Sequence, residues 1–170
     1  MNQVFKLTLK REVCFVAAEL GMLGDKFDTK DVVSLVARLT KDEPREVKYA
    51  FYFNNPGQLI GYQEVAIGGM NSVIWDAKIV FSSALLCGAS NIILVHNHPM
   101  STNDRFSPGD IKCLKGLIPG AVAIGVAIWD SIVVCGERWA SLRDFGLMPN
   151  VGETLKDAEK AAEAAEGSRS

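Results

Sequence analysis

The stretch NIILVHNHPMSTNDRFSPGD, residues 91–110, joins an apolar run, a histidine pair and a helix start, and it decides how the chain is interpreted. NIILV is a short, continuous apolar run, which is typical of a strand buried on both faces. The two histidines of the chain, His96 and His98, follow it directly. In an extended chain, residues i and i+2 point to the same side, so the two rings can face one point while Asn97 turns away.

The end of the same stretch predicts a helix. Ser107 is placed as the N-cap, Pro108 as the first helical residue and Asp110 three residues after the cap. Asp110 then lies in the first turn, where it can face back towards the end of the strand. Two imidazoles and one carboxylate, with a fourth position left for water, make a catalytic zinc site. We therefore predict one zinc ion per chain, held by His96, His98 and Asp110.

A zinc hydrolase also needs a general base that does not bind the metal. Glu64 is the best candidate, because it stands in the otherwise apolar segment GYQEVAIGG, where burying a carboxylate would be costly without a purpose. Its structural alternative is a buried strand carboxylate paired with a backbone donor. Ser107 is the second catalytic candidate, since its hydroxyl can cap the helix or donate to an oxyanion beside the metal.

The rest of the chain predicts alternating strands and helices, and therefore one α/β or α+β domain. Val32, Leu35, Val36 and Leu39 fall on one face of a helix whose N-cap is Asp28 or Thr29. Segment 5–12 alternates between apolar and polar residues, a pattern that indicates a strand. The remaining elements are two strands joined by the turn NNPG within residues 46–69, a buried helix within 75–89, and a hairpin within 121–136 that turns near Asp130.

Composition narrows the function classes. The 170 residues carry a net charge of −2, with 48% hydrophobic and 22% charged residues, as in ordinary globular proteins. The acidic balance argues against a nucleic-acid surface. The four scattered cysteines form no CxxC pair, which excludes a zinc knuckle and favours free thiols in a reducing compartment. No signal peptide or membrane span is recognisable, so we expect a cytoplasmic protein without a membrane partner.

Glu64, the segment His96-Asn97-His98-Pro99 and the segment Ser107-Pro108-Gly109-Asp110 together resemble the JAMM signature of the MPN+/JAB-type metallopeptidases: a glutamate, then H-x-H-P, then S-x-x-D. The closer resemblance is to the RadC-like branch, which typically reads ILVHNHPSG and PSPED where this chain has ILVHNHPMS and FSPGD. The similarity runs from about Thr29 to Met148. It implies the JAB/MPN fold, a twisted mixed β-sheet flanked by helices in the cytidine-deaminase-like arrangement. It also implies zinc ligands at His96, His98 and Asp110 and a glutamate base at Glu64.

The resemblance divides the chain into an N-terminal extension of unclear role (1–27), a RadC-like JAB/MPN domain (28–149) and an Ala/Glu-rich tail (150–170), expected to be a loosely attached helix or disordered. The loop between His98 and Ser107 is one residue longer than in the branch. The helix-hairpin-helix segment of longer RadC proteins is not recognisable in residues 1–27.

Three functions follow from these observations. The first is a zinc metallopeptidase that cleaves a peptide or isopeptide bond in a peptide or protein substrate. The second is a RadC-like accessory protein in DNA repair or mobile-element biology, although the acidic composition argues against direct DNA contact. The third is a non-catalytic metal-binding JAB module.

Overall fold

The central strand of the sheet carries His96, and His98 follows directly after its end. The computed structural model describes residues 29–68, 75–99, 104–152, 154, 156 and 160, and within them the chain forms a single α/β domain of five strands and three helices. The helices are α1 (Thr29–Leu39), α2 (Ala77–Cys87) and α3 (Pro108–Ala123), and the strands are β1 (Val47–Phe53), β2 (Leu59–Ile67), β3 (Asn91–Asn97), β4 (Ala127–Cys135) and β5 (Arg138–Ser141).

The sheet is mixed, with the strand order β2-β1-β3-β4-β5. Strand β3 runs antiparallel to β1 and parallel to β4, and α3 connects the parallel pair. All seven residues of β1 and all seven of β3 are buried, because helices cover both faces of the sheet. The mixed sheet flanked by helices is the fold that the sequence predicts.

Two hydrophobic cores lie on opposite faces of the sheet. One face packs against α1, whose buried residues include Val32, Leu35 and Val36. The other packs against α2 and α3. Because neighbours along a strand alternate between faces, Tyr49 points towards α1, whereas Lys48 and its cross-strand partner His96 point towards α2 and α3.

Several predicted elements are confirmed. Helix α1 begins at Thr29 and buries the predicted apolar face, and β1 and β2 form the predicted hairpin around NNPG, with Gly57 at a φ of 90°. Ser107 caps α3 in a capping box with Asp110, and Pro108 begins the helix. Of the four cysteines, the three in the described ranges, Cys87, Cys113 and Cys135, form no disulfide with one another.

The predicted hairpin turn near Asp130 is wrong. Asp130 is fully buried within β4, and the sequence turns at Gly136 and Glu137 instead. The carboxylate of Asp130 accepts hydrogen bonds from the Ser131 and Arg143 backbone amides and from the Ser141 hydroxyl. Burial raises its pKa, and these donors offset part of that effect. Asp130 and Ser131, which were predicted to form a turn, are therefore buried in the sheet, and the Asp130 carboxylate has hydrogen-bond donors there.

The extent of α2 is predicted correctly but its burial is not. Only Val80 and Ala84 are buried, whereas Leu85 and Leu86 are more than half exposed. The helix lies on the outer surface of the domain and covers the sheet with one narrow face. Its ends follow simple rules: Asp76 caps the first turn, and Gly88 ends the helix in the left-handed conformation.

The predicted strand at 5–12 and the N-terminal extension lie outside the described residues. In the tail, the described positions 151, 152, 154, 156 and 160 are helical, and Thr154 is buried. Within the described part of the chain, no helix is long and apolar enough to cross a membrane.

Candidate metal centre

The two histidine rings lie side by side at the end of β3. His96 is the last but one residue of the strand, and His98 continues its direction because its backbone amide donates to the Val134 carbonyl of β4 at 2.8 Å. The ring centroids are 4.9 Å apart and the planes meet at 63°. The ring of Phe106 meets His96 edge to face at 6.0 Å. The predicted convergence of the two imidazoles is therefore present.

The capping box aims Asp110 at the histidines. Its Oδ2 accepts hydrogen bonds from the Ser107 backbone amide at 2.9 Å and the Ser107 hydroxyl at 2.7 Å, while the Asp110 amide donates to the Ser107 hydroxyl at 3.1 Å. One carboxylate oxygen is thereby fixed by the helix terminus. The other, Oδ1, lies 3.6 Å from Nε2 of His96. The longer loop before Ser107 does not displace Asp110 from the histidine pair.

The three side chains fit a metal ion. His96, His98 and Asp110 each offer a ligand atom, and these atoms lie within 4.8 Å of one another. Both ring nitrogens of His96 are buried and have no hydrogen-bond partner. A buried polar atom without a partner is costly, and coordination to a metal removes that cost at one nitrogen. Neutral imidazole and carboxylate are ligands that zinc and other divalent transition metals accept.

The electrostatics of the cluster favour the forms that bind a metal. Burial lowers the pKa of His96, which keeps the imidazole neutral at pH 7. Burial raises the pKa of Asp110, but the contact with His96 and the hydrogen bonds from Ser107 outweigh it and hold the pKa of this carboxyl well below its usual range. A neutral imidazole and an ionised carboxylate are the states that coordinate a cation.

The structure does not bring Glu64 to the cluster. Glu64 is exposed rather than buried, and it pairs across the β1–β2 hairpin with Tyr49. Because directly opposed residues share a face of the sheet, Glu64 lies on the α1 side, opposite to His96. Burial, with a further contribution from the charge of Glu64, raises the pKa of Tyr49 to about 12. The expectation that Glu64 is a buried carboxylate beside the metal is therefore wrong.

Another glutamate lies near the cluster. Glu46 immediately precedes β1, and its Oε1 is 3.0 Å from the ammonium of Lys48. Lys48 Nζ is in turn 3.5 Å from Oδ1 of Asp110. The side chain of Glu46 is 23% exposed, so solvent reaches it, whereas Lys48 beside it is buried. The sequence offered one signal that the prediction missed, a lysine in the apolar strand that follows Glu46.

Asn97, the residue between the histidines, holds the segment that carries Glu46. Its side-chain oxygen accepts from the Val47 amide at 2.7 Å, and its side-chain nitrogen donates to the Arg45 carbonyl at 3.1 Å. The Glu46 carbonyl accepts from the Gly68 amide at 2.7 Å. The two hydrogen bonds of Asn97 hold the backbone on both sides of Glu46 against the end of β3, and the bond from Gly68 joins Glu46 to the end of β2.

A groove opens beside His98. Its walls are the connection between α1 and β1, residues 40–44, and the turn between β4 and β5, residues 135–137, and Asn97, His98 and Pro99 line it as well. His98, which is less buried than His96, is therefore the histidine of the cluster that lines this groove.

The sequence also matches a known protein family and several known proteins. The family of the RadC-like JAB domain matches residues 27–147, which is well over half of the chain. Similar proteins include the "UPF0758 protein" of Methanosarcina acetivorans, 33% identical over 119 residues, and that of Desulforamulus reducens, also 33% identical over 119 residues; each alignment covers 70% of this chain and 52% of the relative.

A third relative, the "UPF0758 protein" of Salinibacter ruber, is 30% identical over 118 residues, which is 69% of this chain and 50% of the relative. The chain thus spans about half the length of these relatives. Their shared name states no activity.

Proposed function

Because the chain belongs to the family of RadC-like JAB domains, we propose that it is a zinc-dependent hydrolase that cleaves a peptide or isopeptide bond. The observation that carries the proposal is the cluster of His96, His98 and Asp110, whose ligand atoms lie within 4.8 Å of one another. Its most buried member has two ring nitrogens without partners. A structural histidine would be expected to donate at least one hydrogen bond.

His96, His98 and Asp110 would hold the ion, through one nitrogen of each ring and Oδ1 of the carboxylate. A bound zinc ion supplies Lewis acidity and lowers the pKa of a coordinated water to about 7. Ser107 keeps Asp110 oriented through both hydrogen bonds to Oδ2. Removing such a hydrogen-bond partner of a metal ligand commonly lowers metal affinity or activity by roughly tenfold to a hundredfold. We assign Ser107 this orienting role, since its hydroxyl proton is already donated to Asp110.

Glu46 is the general base of the proposed reaction. Its carboxylate takes a proton from the attacking water as the oxygen bonds to the scissile carbonyl carbon. It then gives that proton to the leaving nitrogen as the carbon–nitrogen bond breaks. Three observations support Glu46 over Glu64: its contact with Lys48 beside Asp110, its partial exposure, and the hydrogen bonds that fix its backbone.

The groove beside His98 is the proposed binding place for a peptide, because one residue of the cluster lines it. Both walls are backbone-rich connections, which offer amide and carbonyl groups to a substrate main chain. The charges of the same groove are mixed, because Asp42 and Glu137 line it together with Lys41, and Glu43 is paired with Arg45.

The experiment is a cleavage screen with controlled metal content. The protein, stripped by a chelator and reloaded with zinc, is incubated with a peptide library and with lysine-linked isopeptides, and products are identified by mass spectrometry. We expect cleavage by the zinc-loaded protein that the chelator abolishes and added zinc restores. Stoichiometric zinc without cleavage of any substrate would instead support the non-catalytic metal-binding module. Salt-sensitive retention on DNA would support the accessory role.

A further inference from the structure

A lysine is buried in the wall of the metal centre. Lys48 lies directly opposite His96 in the β1–β3 pairing, and its side chain is 1% exposed. Its ammonium lies 5.1 Å from the centroid of the Trp75 ring. Lysine is almost never fully buried unless its charge is paired, so the burial of Lys48 depends on the groups around its ammonium.

The partners of Lys48 are two carboxylates of the proposed site. Nζ is 3.0 Å from Oε1 of Glu46 and 3.5 Å from Oδ1 of Asp110. The Asp110 oxygen is the one that the capping box leaves for the histidines, since Ser107 occupies Oδ2. The Lys48 ammonium and a bound metal would therefore compete for the same oxygen, Oδ1 of Asp110.

The balance of charge differs between the two states of the site. Without a metal, the Lys48 ammonium compensates the negative charges of Glu46 and Asp110. Two carboxylates in a poorly solvated site would be costly without such a positive charge. With a divalent ion present, the ammonium is a like charge close to it in a poorly solvated site, where screening is weak. Lys48 thus favours the metal-free state and disfavours the metal-bound one.

We propose that Lys48 is a built-in counterion that stabilises the metal-free site and lowers its affinity for a divalent cation. The inference rests on the proposed metal centre and adds regulation to it. Lys48 competes with the ion for Asp110, so the ion exchanges with the surrounding pool instead of being held permanently. The occupied fraction of the site then follows the free metal concentration over a range that the lysine sets.

The test compares the 170-residue wild type with Lys48→Met, which keeps much of the shape of the side chain and removes its charge. Both proteins are stripped of metal and titrated with zinc in competition with a chromophoric chelator. Unfolding is then measured with and without zinc. We expect Lys48→Met to bind zinc more tightly by a factor on the order of ten or more. Its metal-free form should melt below the wild type, and its gain in melting temperature on adding zinc should be larger.

Lys115→Met is the matched control, because Lys115 is exposed on the same helix as Asp110. It loses the same charge and should leave zinc affinity unchanged. If Lys48→Met does not fold, Glu46→Gln is compared with the double variant Glu46→Gln/Lys48→Met, in which the partner charge is gone as well. The double variant should again bind zinc more tightly than Glu46→Gln alone.

Wild-type zinc binding with equal or weaker binding by the Lys48 variants would overturn the counterion role and leave the proposed metal centre standing. A melting temperature that falls by the same amount with and without zinc would overturn it too, because a purely structural lysine behaves in that way. Absence of zinc binding in all variants would overturn both proposals together.

Discussion

The side chain of Asn97 holds the backbone on both sides of Glu46 by two hydrogen bonds. Its oxygen accepts from the Val47 amide at 2.7 Å, and its nitrogen donates to the Arg45 carbonyl at 3.1 Å. The end of β3 and the backbone around the proposed base therefore form one hydrogen-bonded unit. His96 and His98 belong to the proposed metal centre, while the residue between them holds the backbone that carries the proposed base.

Asn97→Ala tests this unit. The substitution leaves a backbone amide and a carbonyl without their side-chain partner in a site where Asn97 is 3% exposed. We expect the free energy of unfolding to fall by about 1–3 kcal/mol, and kcat to fall with zinc content unchanged. Asn97→Asp keeps the acceptor for Val47 but cannot donate to Arg45, so its kcat should be intermediate. Wild-type kcat in the alanine variant would show that Glu46 does not need this support.

Removing a ligand should empty the site. His96→Ala and Asp110→Ala should each lose most of the zinc that the wild type carries, because two remaining ligands hold a metal much more weakly than three. Elemental analysis of protein purified without chelators measures this. Asp104→Ala is the matched control, since Asp104 is a carboxylate in the loop between the ligands, and it should keep its zinc. Loss of zinc in the Asp104 variant would mean that Asp104, rather than Asp110, is the carboxylate ligand.

The pH dependence of the metal-free protein follows from the burial of His96. Since burial lowers its pKa below the ordinary 6.5, the folded protein holds this ring neutral where an unfolded chain begins to protonate it. Its contribution therefore destabilises the fold as pH falls below 6.5. NMR titration of the two imidazoles, assigned with a His98→Gln variant, should show His96 titrating below pH 6.5. Titration of His96 at or above that value would contradict the buried, neutral ring.

Ser107→Ala tests the capping box. The substitution removes the hydroxyl that caps α3 and one of two hydrogen bonds to Oδ2 of Asp110. We expect a loss of about 1 kcal/mol in stability and zinc affinity weaker by roughly tenfold, measured by denaturation and chelator competition. Ser107→Thr retains a hydroxyl and should restore most of both. Reduced stability with unchanged zinc affinity would limit Ser107 to the helix cap.

What the sequence predicted well is local. The capping box of Ser107 and Asp110 needs only neighbouring residues, and so does the turn at NNPG. The convergence of His96 and His98 follows from the geometry of one strand. Each of these depends on backbone rules that act over a few residues, which is why the structure reproduces them.

What the sequence did not predict depends on register and on pairing across the fold. The proposal of Glu46 in place of Glu64 depends on the face of the sheet that Glu64 occupies, and the β1–β2 pairing contains an irregularity between Lys48 and Tyr49 that changes the register. Asp130 reads as a turn residue because its partners, Ser141 and Arg143, come from a later segment.

The most direct test of the proposed function compares Glu46→Gln with Glu64→Gln in zinc-loaded protein on a substrate found in the cleavage screen. Glutamine nearly keeps the shape of each side chain but cannot accept the proton. We expect Glu46→Gln to retain zinc and lose hydrolysis by on the order of a hundredfold or more, while Glu64→Gln cleaves at the wild-type rate. Wild-type cleavage by Glu46→Gln, with activity lost in Glu64→Gln, would contradict the assignment of the base and the geometry on which it rests.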